Sequence, residues 1–324
     1  MAKLVDETVF KINKAIDYID DNLHDKLCLE GLSNISCFSK NQFHRLFHTL
    51  TGQSPSSYIK RLRMKKAITL LSKRKSLSIS EVSELCGYST ISSFCKTFSE
   101  HFGIPPAFIK DKLNIDNIKD YDQIIQSDFA DSKLIENINC ESISCSNNSC
   151  RELLDDKIYE RLLSSNIKTE HVGDIGYIYS RHYGSYKPED IRHFTVRHFD
   201  YAHEIYKLFP EIKMLGIFLD CPTFTPHEYC RYDAGIAIPD GFDQLKLIGK
   251  RKITAGLYAT TSLEIPLHLA KYIWYFLRTE WLSNTSYEAD YRPSFCEYTP
   301  IKGLPIDEKL EVKFYLPIST SMQE

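Results

Sequence analysis

Apolar residues near the start of the chain recur at helical spacing. Val9, Ile12, Ile16, Ile19 and Leu23 fall on one face, which predicts an amphipathic helix over residues 8–22. A short helix follows around residues 29–34. Cys37 and Phe38 turn the chain, and Ser39 is suited to cap a helix running to Thr49. In that helix Phe43, Leu46, Phe47 and Leu50 share an inner face, while Asn41, His44, Arg45 and His48 line the outer one. Thr51-Gly52 stop it and Ser54-Pro55 start another, predicted to run to about residue 71. Its apolar side is Ile59, Leu62, Ala67, Leu70 and Leu71; Lys60, Arg61, Arg63, Lys65 and Lys66 are expected outside. The plan then repeats. Ile79, Val82 and Leu85 form the inner face of a short helix, and Cys86-Gly87-Tyr88 turn the chain. Ser89 is expected to cap a helix to about residue 100, with Phe94 and Phe98 inward and Ile91, Ser92, Cys95, Lys96 and Ser99 outward. Gly103 and Pro105-Pro106 end it.

Beyond residue 153 the period changes. Residues 175–181 alternate as a strand, 188–208 read as a helix, and 214–220 and 231–238 read as strands. Then 252–260 is expected as a strand, 266–282 as a helix, and 294–298 and 312–317 as strands. That is strand-helix-strand-strand twice, an architectural duplication. Two such units are expected to pack sheet to sheet with helices outside and a concave groove between them. Ala270, Ile273, Trp274, Leu277 and Trp281 lie at helical spacing, which assigns both Trp to the core. Between the halves, residues 113–152 read as an acidic Ser/Asn-rich linker, with a weakly amphipathic helix around 121–138. Its Cys140, Cys145 and Cys150 match neither a zinc knuckle nor a redox pair.

The chain has 324 residues and a formal charge of −3, but the charge is partitioned. Residues 1–112 hold 17 Lys/Arg against 11 Asp/Glu, whereas the linker holds 3 against 8. From Gly31 to Ser80 there are ten Lys/Arg and no acid at all. At ordinary composition such a stretch holds about six acids. A face without carboxylates suits a polyanionic partner, because each acid opposite a phosphate lowers affinity. An apolar fraction of 43% excludes a chain disordered throughout. No apolar run approaches the roughly 18 residues of a membrane span, and the start of the chain does not read as a signal peptide. The expected location is the cytosol, with the ten Cys as thiols.

A short helix, a tight turn and a second helix with a polar face carrying Arg is helix-turn-helix logic. Arg pairs bidentately with guanine, and Asn with adenine, in the major groove. Two such units joined by a helix of about 25 Å would let one polypeptide enter successive major grooves about 34 Å apart. The segment resembles the DNA-binding domain of AraC/XylS transcription regulators. The carriers are Ser39, Phe43, Arg45, Phe47, Gly52, Pro55, Tyr58, Arg63 and Ala67, then Gly87-Tyr88, Phe94, Phe98, Gly103 and Pro105-Pro106. The resemblance implies that Asn41, Gln42, His44 and Arg45 lie on the first reading helix, and Ser92, Ser93, Cys95 and Lys96 on the second. His48, Arg61 and Lys65 complete the expected DNA contacts. The second helix departs from the family's frequent Gln/Arg-rich face. The first unit is therefore expected to carry base discrimination and the second to hold phosphate.

Residues 153–324 resemble the GyrI-like effector-binding domain. The carriers are Tyr183-Gly184 with Tyr186, then Gly216-Ile217-Phe218 with Asp220 and Pro222, and Cys230-Arg231-Tyr232-Asp233. Trp281-Leu282, Arg292-Pro293 with Phe295 and Tyr298, and Tyr315-Leu316-Pro317-Ile318 complete the set. The arrangement is that of Rob-like regulators, which implies a sensor of small amphipathic or aromatic molecules. Tyr179, Tyr183, Phe218, Tyr232, Tyr258, Glu264, Trp274, Cys296 and Glu297 are the candidate ligand residues. One departure concerns charge: where the family often has Glu after the Phe of Arg-Pro-x-Phe, this chain has Cys296, with Glu297 one place later. A one-residue shift on a strand turns a side chain to the opposite face.

The fold expected is thus multidomain: an all-α double helix-turn-helix domain over 1–112, the linker, and an α+β GyrI-like domain over 153–324. The partners expected are promoter or operator DNA, a small-molecule effector and RNA polymerase, with no membrane. No phosphate-binding loop or nucleophile motif is present, so no enzyme activity and no cofactor are expected. His193, His198 and His203 recur every five residues, which puts them on different faces of a helix and argues against a metal site. The alternative is a drug-sequestering or hydrolytic module for which the basic domain is only a tether.

Overall fold

The computed structural model describes residues 7–73, 76–112, 156–187, 190–191, 194–195, 212–220, 225–238, 249–266, 269–298 and 309–320. The expected linker with its three cysteines, the helix near 121–138, the three spaced histidines and most of the helix expected at 188–208 lie outside them. The chain divides into two compact units, one helical and one built on a sheet.

The helical unit contains α1 (Glu7–Asp21), α2 (Leu29–Ile35), α3 (Lys40–Thr51), α4 (Pro55–Lys73), α5 (Ile79–Leu85), α6 (Ile91–Phe102) and α7 (Pro106–Lys112). The helices form where apolar spacing and caps agree. Ile12, Ile16 and Ile19 of α1 are buried with Leu32, Phe43 and Phe47. Phe43 and Phe47 pack 5.4 Å apart, and Tyr58 meets Phe47 edge-on at 5.2 Å. The second half repeats this with Phe94, Phe98 and Phe102, whose rings sit 5.8 Å and 4.7 Å apart in sequence. Leu85 departs from its expected inner position: it is 41% exposed, because Val82 and Cys86 already fill that side of α5.

Among its described residues the second unit contains α8 (Asp156–Ser164) and nine antiparallel strands. They are β1 (Lys168–Val172), β2 (Ile175–Tyr183), β3 (Met214–Phe218), β4 (Arg231–Ala237), β5 (Gly249–Ile253), β6 (Gly256–Ile265), β7 (Tyr287–Ala289), β8 (Ser294–Tyr298) and β9 (Leu310–Thr320). The strand expected over 252–260 is in fact two, broken at Thr254–Ala255 where the chain leaves one sheet position for another. Helix α9 (Ala270–Phe276) continues as a wider π turn over Leu277–Trp281 and a tighter turn over Leu282–Asn284. The change of pitch takes Trp281 off the buried stripe: it is half-buried and stacks on Tyr287, whereas Trp274 is in the core.

The duplication is visible in the strand order β1-β6-β9-β8-β3-β4-β2-β5. Outward from the central β3·β8 pair, one side reads β3-β4-β2 and the other β8-β9-β6. These are equivalent strands of the two repeats in the same order. The halves therefore join edge to edge in one sheet, and the expected sheet-to-sheet packing is not found. Pairing β3 with β8 satisfies backbone donors and acceptors that two separate sheets would leave at open edges. The strand preceding each repeat crosses to the other half: β1 pairs with β6, and β5 with β2.

These crossings dictate curvature. β1 and β2 stand six places apart in the order, about 29 Å in a flat sheet at normal strand spacing. Yet only Gly173 and Asp174 connect them, a reach of about 11 Å. The same holds for β5 and β6. The sheet must curl until its ends approach, and Asp174 ties the two connections together. Its carboxylate accepts from the Ala255 amide at 2.8 Å and from Lys252 at 2.7 Å.

Strand alternation then divides the chemistry. One face carries Ile178, Met214, Ile236, Ala259, Val312, Phe314 and Leu316, covered by Ile273 and Trp274 of α9 and Leu277 of the π turn. The other carries Tyr177, Tyr179, Leu215, Ile217, Tyr258, Phe295 and Tyr315. On this second face Arg181 and Asp233 form a fully buried bidentate pair at 2.7 and 2.8 Å. Arg231 and Asp220 form a second pair at 2.7 and 3.2 Å.

Removing one partner of a buried pair strands the other charge. Asp233→Ala is expected to lower unfolding free energy by about 3–5 kcal/mol, and Arg181→Met with Asp233→Leu by much less. Urea denaturation of the single and double variants checks this; equal losses would refute it.

Candidate nucleic-acid interface and ligand-binding face

In the helical unit two helices present polar faces from equivalent frames. Ser39 and Thr90, Phe43 and Phe94, Phe47 and Phe98, and Gly52 and Gly103 all stand 51 residues apart. Ser39 caps α3 in a reciprocal box: its hydroxyl accepts from the Gln42 amide, and the Gln42 side-chain oxygen accepts from Ser39. In α6 the cap is Thr90, not the expected Ser89; its hydroxyl accepts from the Ser93 amide at 3.2 Å. Both helices end on a left-handed glycine, Gly52 at φ 71° and Gly103 at φ 76°. The phenylalanines face inward, so the residues between them face out.

On α3, Asn41, Gln42, His44, Arg45 and His48 are all exposed. On α6, Ser92, Ser93 and Lys96 are exposed and Cys95 is half-buried. Lys96 thus occupies the place of Arg45, and Ser92 that of Asn41. Two of these side chains are already engaged: the Gln42 oxygen in its box, and the Ser93 hydroxyl, which donates to Thr90 O at 2.8 Å.

The cations of α4 divide into two roles. Lys65 is half-buried on its outer side. Arg61, expected outside, is only 6% exposed: its Nε donates to Gln53 at 3.1 Å and its guanidinium lies 5.0 Å from the Tyr58 ring centre. The turn before α4 brings Gln53 back over the helix, and the first turn supplies the ring, so Arg61 folds inward. Arg63 and Lys66 act between the two halves. Arg63 donates from Nε to Leu23 O at 3.0 Å and from Nη2 to Asp25 O at 2.7 Å, while lying over the Tyr88 ring. Lys66 donates to Leu85 O at 2.7 Å. Gly87 makes this contact possible. At φ 73° it occupies the left-handed region, and a Cβ there would stand 2.6 Å from Leu23 O and 2.8 Å from Arg63 Nη2. The spacing rule that found the reading helices could not find this junction, whose partners lie 38–40 residues apart.

In the sheet unit, alternation brings together some of the ligand candidates and separates others. Phe218, Tyr232, Trp274 and Cys296 lie on the α9-covered face. Phe218 sits 5.1 Å from Tyr232 and 6.1 Å from Trp274, ring centre to ring centre. Gly216 forms the floor: a Cβ there would stand 2.7 Å from Tyr232 Oη and 2.9 Å from Cys296 Sγ. Burial pushes the Cys296 thiol up to about 12 and raises the Tyr232 and Tyr298 hydroxyls, so all three stay protonated at neutral pH. Tyr179, Tyr258 and Glu297 lie on the opposite face, where the Tyr315 hydroxyl donates to Glu297 at 3.1 Å. Tyr183, half-buried at the end of β2, faces the same way as Tyr179. Glu264 is exposed across from Glu311, away from the cluster. Tyr298 and Phe314 belong to the cluster and were not among the candidates; Tyr298 could have been found, since it stands two residues from Cys296 on one strand. Among the described residues no group of three or more His, Cys, Asp or Glu is placed to hold a metal ion, and no helix is long and apolar enough to cross a membrane.

Comparison with known proteins joins the two halves. A helix-turn-helix domain model matches residues 32–111, and a model for the GyrI-like small molecule binding domain matches residues 165–319. The multiple antibiotic resistance protein MarA of Salmonella typhimurium is 33% identical over 95 residues, 29% of this chain and 74% of MarA. The chain belongs to the AraC family of transcription regulators. The probable transcriptional regulator LumQ of Photobacterium leiognathi is 33% identical over 90 residues, 28% of this chain. The AraC-family chain described here spans only about a third of LumQ, 36% of its length. On the sheet side, the solved C-terminal domain of EcmrR is 12% identical, with a TM-score of 0.37 over 49% of this chain and 99% of that one.

Two expected outcomes follow from the geometry. Gly87→Ala forces a Cβ into backbone oxygens at a left-handed position and should destabilise the helical unit by more than about 1–2 kcal/mol, read as a lower midpoint in thermal denaturation. Iodoacetamide at pH 8 should label exposed Cys28 and Cys37 in the native protein and spare Cys86 and Cys296, both buried, until denaturant is added. Peptide mass spectrometry reads the order of labelling.

Proposed function

We propose that the protein is a sequence-specific DNA-binding transcription regulator whose sheet unit senses a small amphipathic or aromatic ligand. The observation that carries this reading is the pair of reading helices in equivalent frames, clamped through Arg63, within a stretch free of carboxylates from Gly31 to Ser80. Residues 1–112 form the DNA-binding part, 113–152 the linker and 153–324 the sensor. The DNA is promoter or operator duplex, the compartment is the cytoplasm, and RNA polymerase is the partner through which occupancy affects transcription. The reading includes no catalytic step.

α3 reads bases through Asn41, His44 and Arg45, with Gln42 and His48 at its ends. α6 holds backbone through Lys96, with Ser92, Ser93 and Cys95 beside it, and Lys65 adds a phosphate contact from α4. In the sensor, Phe218, Tyr232, Trp274 and Cys296 meet the ligand. The chain's own geometry supports these assignments: the outward residues of α3 are exposed, and those four sensor residues share one face of the sheet.

The test begins with selection of genomic fragments by the full-length protein, followed by anisotropy titrations over a range of salt. Affinity should differ strongly between selected and random duplexes and fall steeply as salt rises. Indifference to sequence would refute the reading. Arg45→Ala should cost about 1–3 kcal/mol on the selected site and relax specificity there. Lys96→Ala should weaken selected and random duplexes alike; greater loss of specificity than with Arg45→Ala would reverse the assigned roles of α3 and α6.

A further inference from the structure

The aromatic cluster beneath α9 contains a donor with nothing to donate to. Trp274 is 7% exposed, and its indole Nε1 has no hydrogen-bond partner among the described residues. Native structures rarely leave a buried donor unmet, because burial removes the water that would otherwise accept from it. Phe314 meets the indole edge-on at 5.1 Å and Phe218 at 6.1 Å, so its nearest ring neighbours offer no lone pair.

The surrounding groups share one chemical character. Tyr232 and Tyr298 carry hydroxyls, and Cys296 carries a thiol that points its hydrogen at Gly216 O, 3.7 Å away. All are neutral. The carboxylates of strands β1–β6, β8 and β9 lie on the opposite face: Glu170, Asp233, Glu264, Glu297 and Glu311 align with Tyr258, Arg181 or Tyr315 and not with Cys296 or Phe314. Asp233 is moreover locked to Arg181, and Glu170 to Lys313. No strand of the described sheet thus turns a negative charge toward Trp274. A cation drawn into this cluster would lose its water without gaining a counter-charge from any described strand. An uncharged ring system carrying an oxygen would lose little and would satisfy the indole.

Resting on the reading of this unit as a sensor, we propose that its ligand is an uncharged, flat aromatic molecule bearing a hydrogen-bond acceptor, a ketone or ether oxygen, that receives the indole N–H of Trp274. The packed rings of Phe218 and Tyr232 form one wall for the ligand's ring system, and the acceptor orients it. Positively charged amphiphiles are discriminated against at this face.

Three matched probes test this on the full-length chain by isothermal titration. They are 2-acetylnaphthalene, 2-isopropenylnaphthalene, in which a CH2 replaces the oxygen, and the cation N,N,N-trimethyl-2-naphthylammonium. The ketone should bind about fivefold more tightly than the hydrocarbon, the worth of one net hydrogen bond, and the cation should bind most weakly. Trp274→Phe keeps an aromatic ring and removes the N–H; it should bring the ketone level with the hydrocarbon, whatever it does to the affinity they share. Equal binding of ketone and hydrocarbon to the unaltered chain overturns the proposal, whether or not the variant folds. So does tightest binding by the cation. Either result leaves the sensor reading in place, whereas no binding by any of the three overturns both.

Discussion

One guanidinium ties the two halves of the helical unit together. Arg63 sits on the connecting helix, yet its hydrogen bonds go to the loop after α1 and its flat face to Tyr88 in the second turn. Two helix-turn-helix units joined only by α4 could twist about it. With Arg63 bonded to one unit and stacked on the other, and Lys66 bonded to Leu85 O, the angle between α3 and α6 is set by the chain's own contacts. Rigid presentation of this kind lowers the ordering cost of binding. It also explains why a basic helix uses two of its cations on carbonyl oxygens of its own chain.

The sheet obeys a different constraint, the two-residue period of a strand. Because every second residue faces the same way, one face holds the ion pairs and Glu297, while the other holds phenols, a thiol and an indole. Cys296 and Glu297 are neighbours in sequence and opposites in environment. The curl of the sheet follows from connections too short to span a flat one, and Asp174 fastens the two connections where they meet.

Much of this was legible in the sequence where neighbours in the chain decide the outcome. Phe43 and Phe47, with Ser39 before and Gly52 after, define α3 with no further information, and alternation alone predicted that Cys296 and Glu297 diverge. The expectation fails where packing that a helical period does not weigh decides. Arg61 falls on the outer face by spacing, but Gln53 and Tyr58 draw its guanidinium inward. Ser89 and Thr90 are both good caps, and only the fold selects Thr90. The segment 252–260 has strand composition throughout, so the break at Thr254–Ala255 shows only in the partners chosen, β2 on one side and β9 on the other. Strand pairing is non-local, and β1, a polar and largely exposed segment, gave no sign of crossing to the far repeat. Trp281 was assigned to the core by a 3.6-residue period that the π turn does not keep.

The exchange of first strands has a consequence for synthesis. The helical unit closes through contacts within the first 112 residues, most of them short in sequence range, and is complete long before the ribosome finishes. The sheet is otherwise. Its most connected strand, β9, is also its last: it pairs with β6, β7 and β8, and none of these is fully ladder-bonded until it emerges. Neither repeat is self-sufficient, since each lends a strand to the other. The nascent chain therefore holds a closed helical unit while the sheet still waits for β9, an order of assembly that topology imposes.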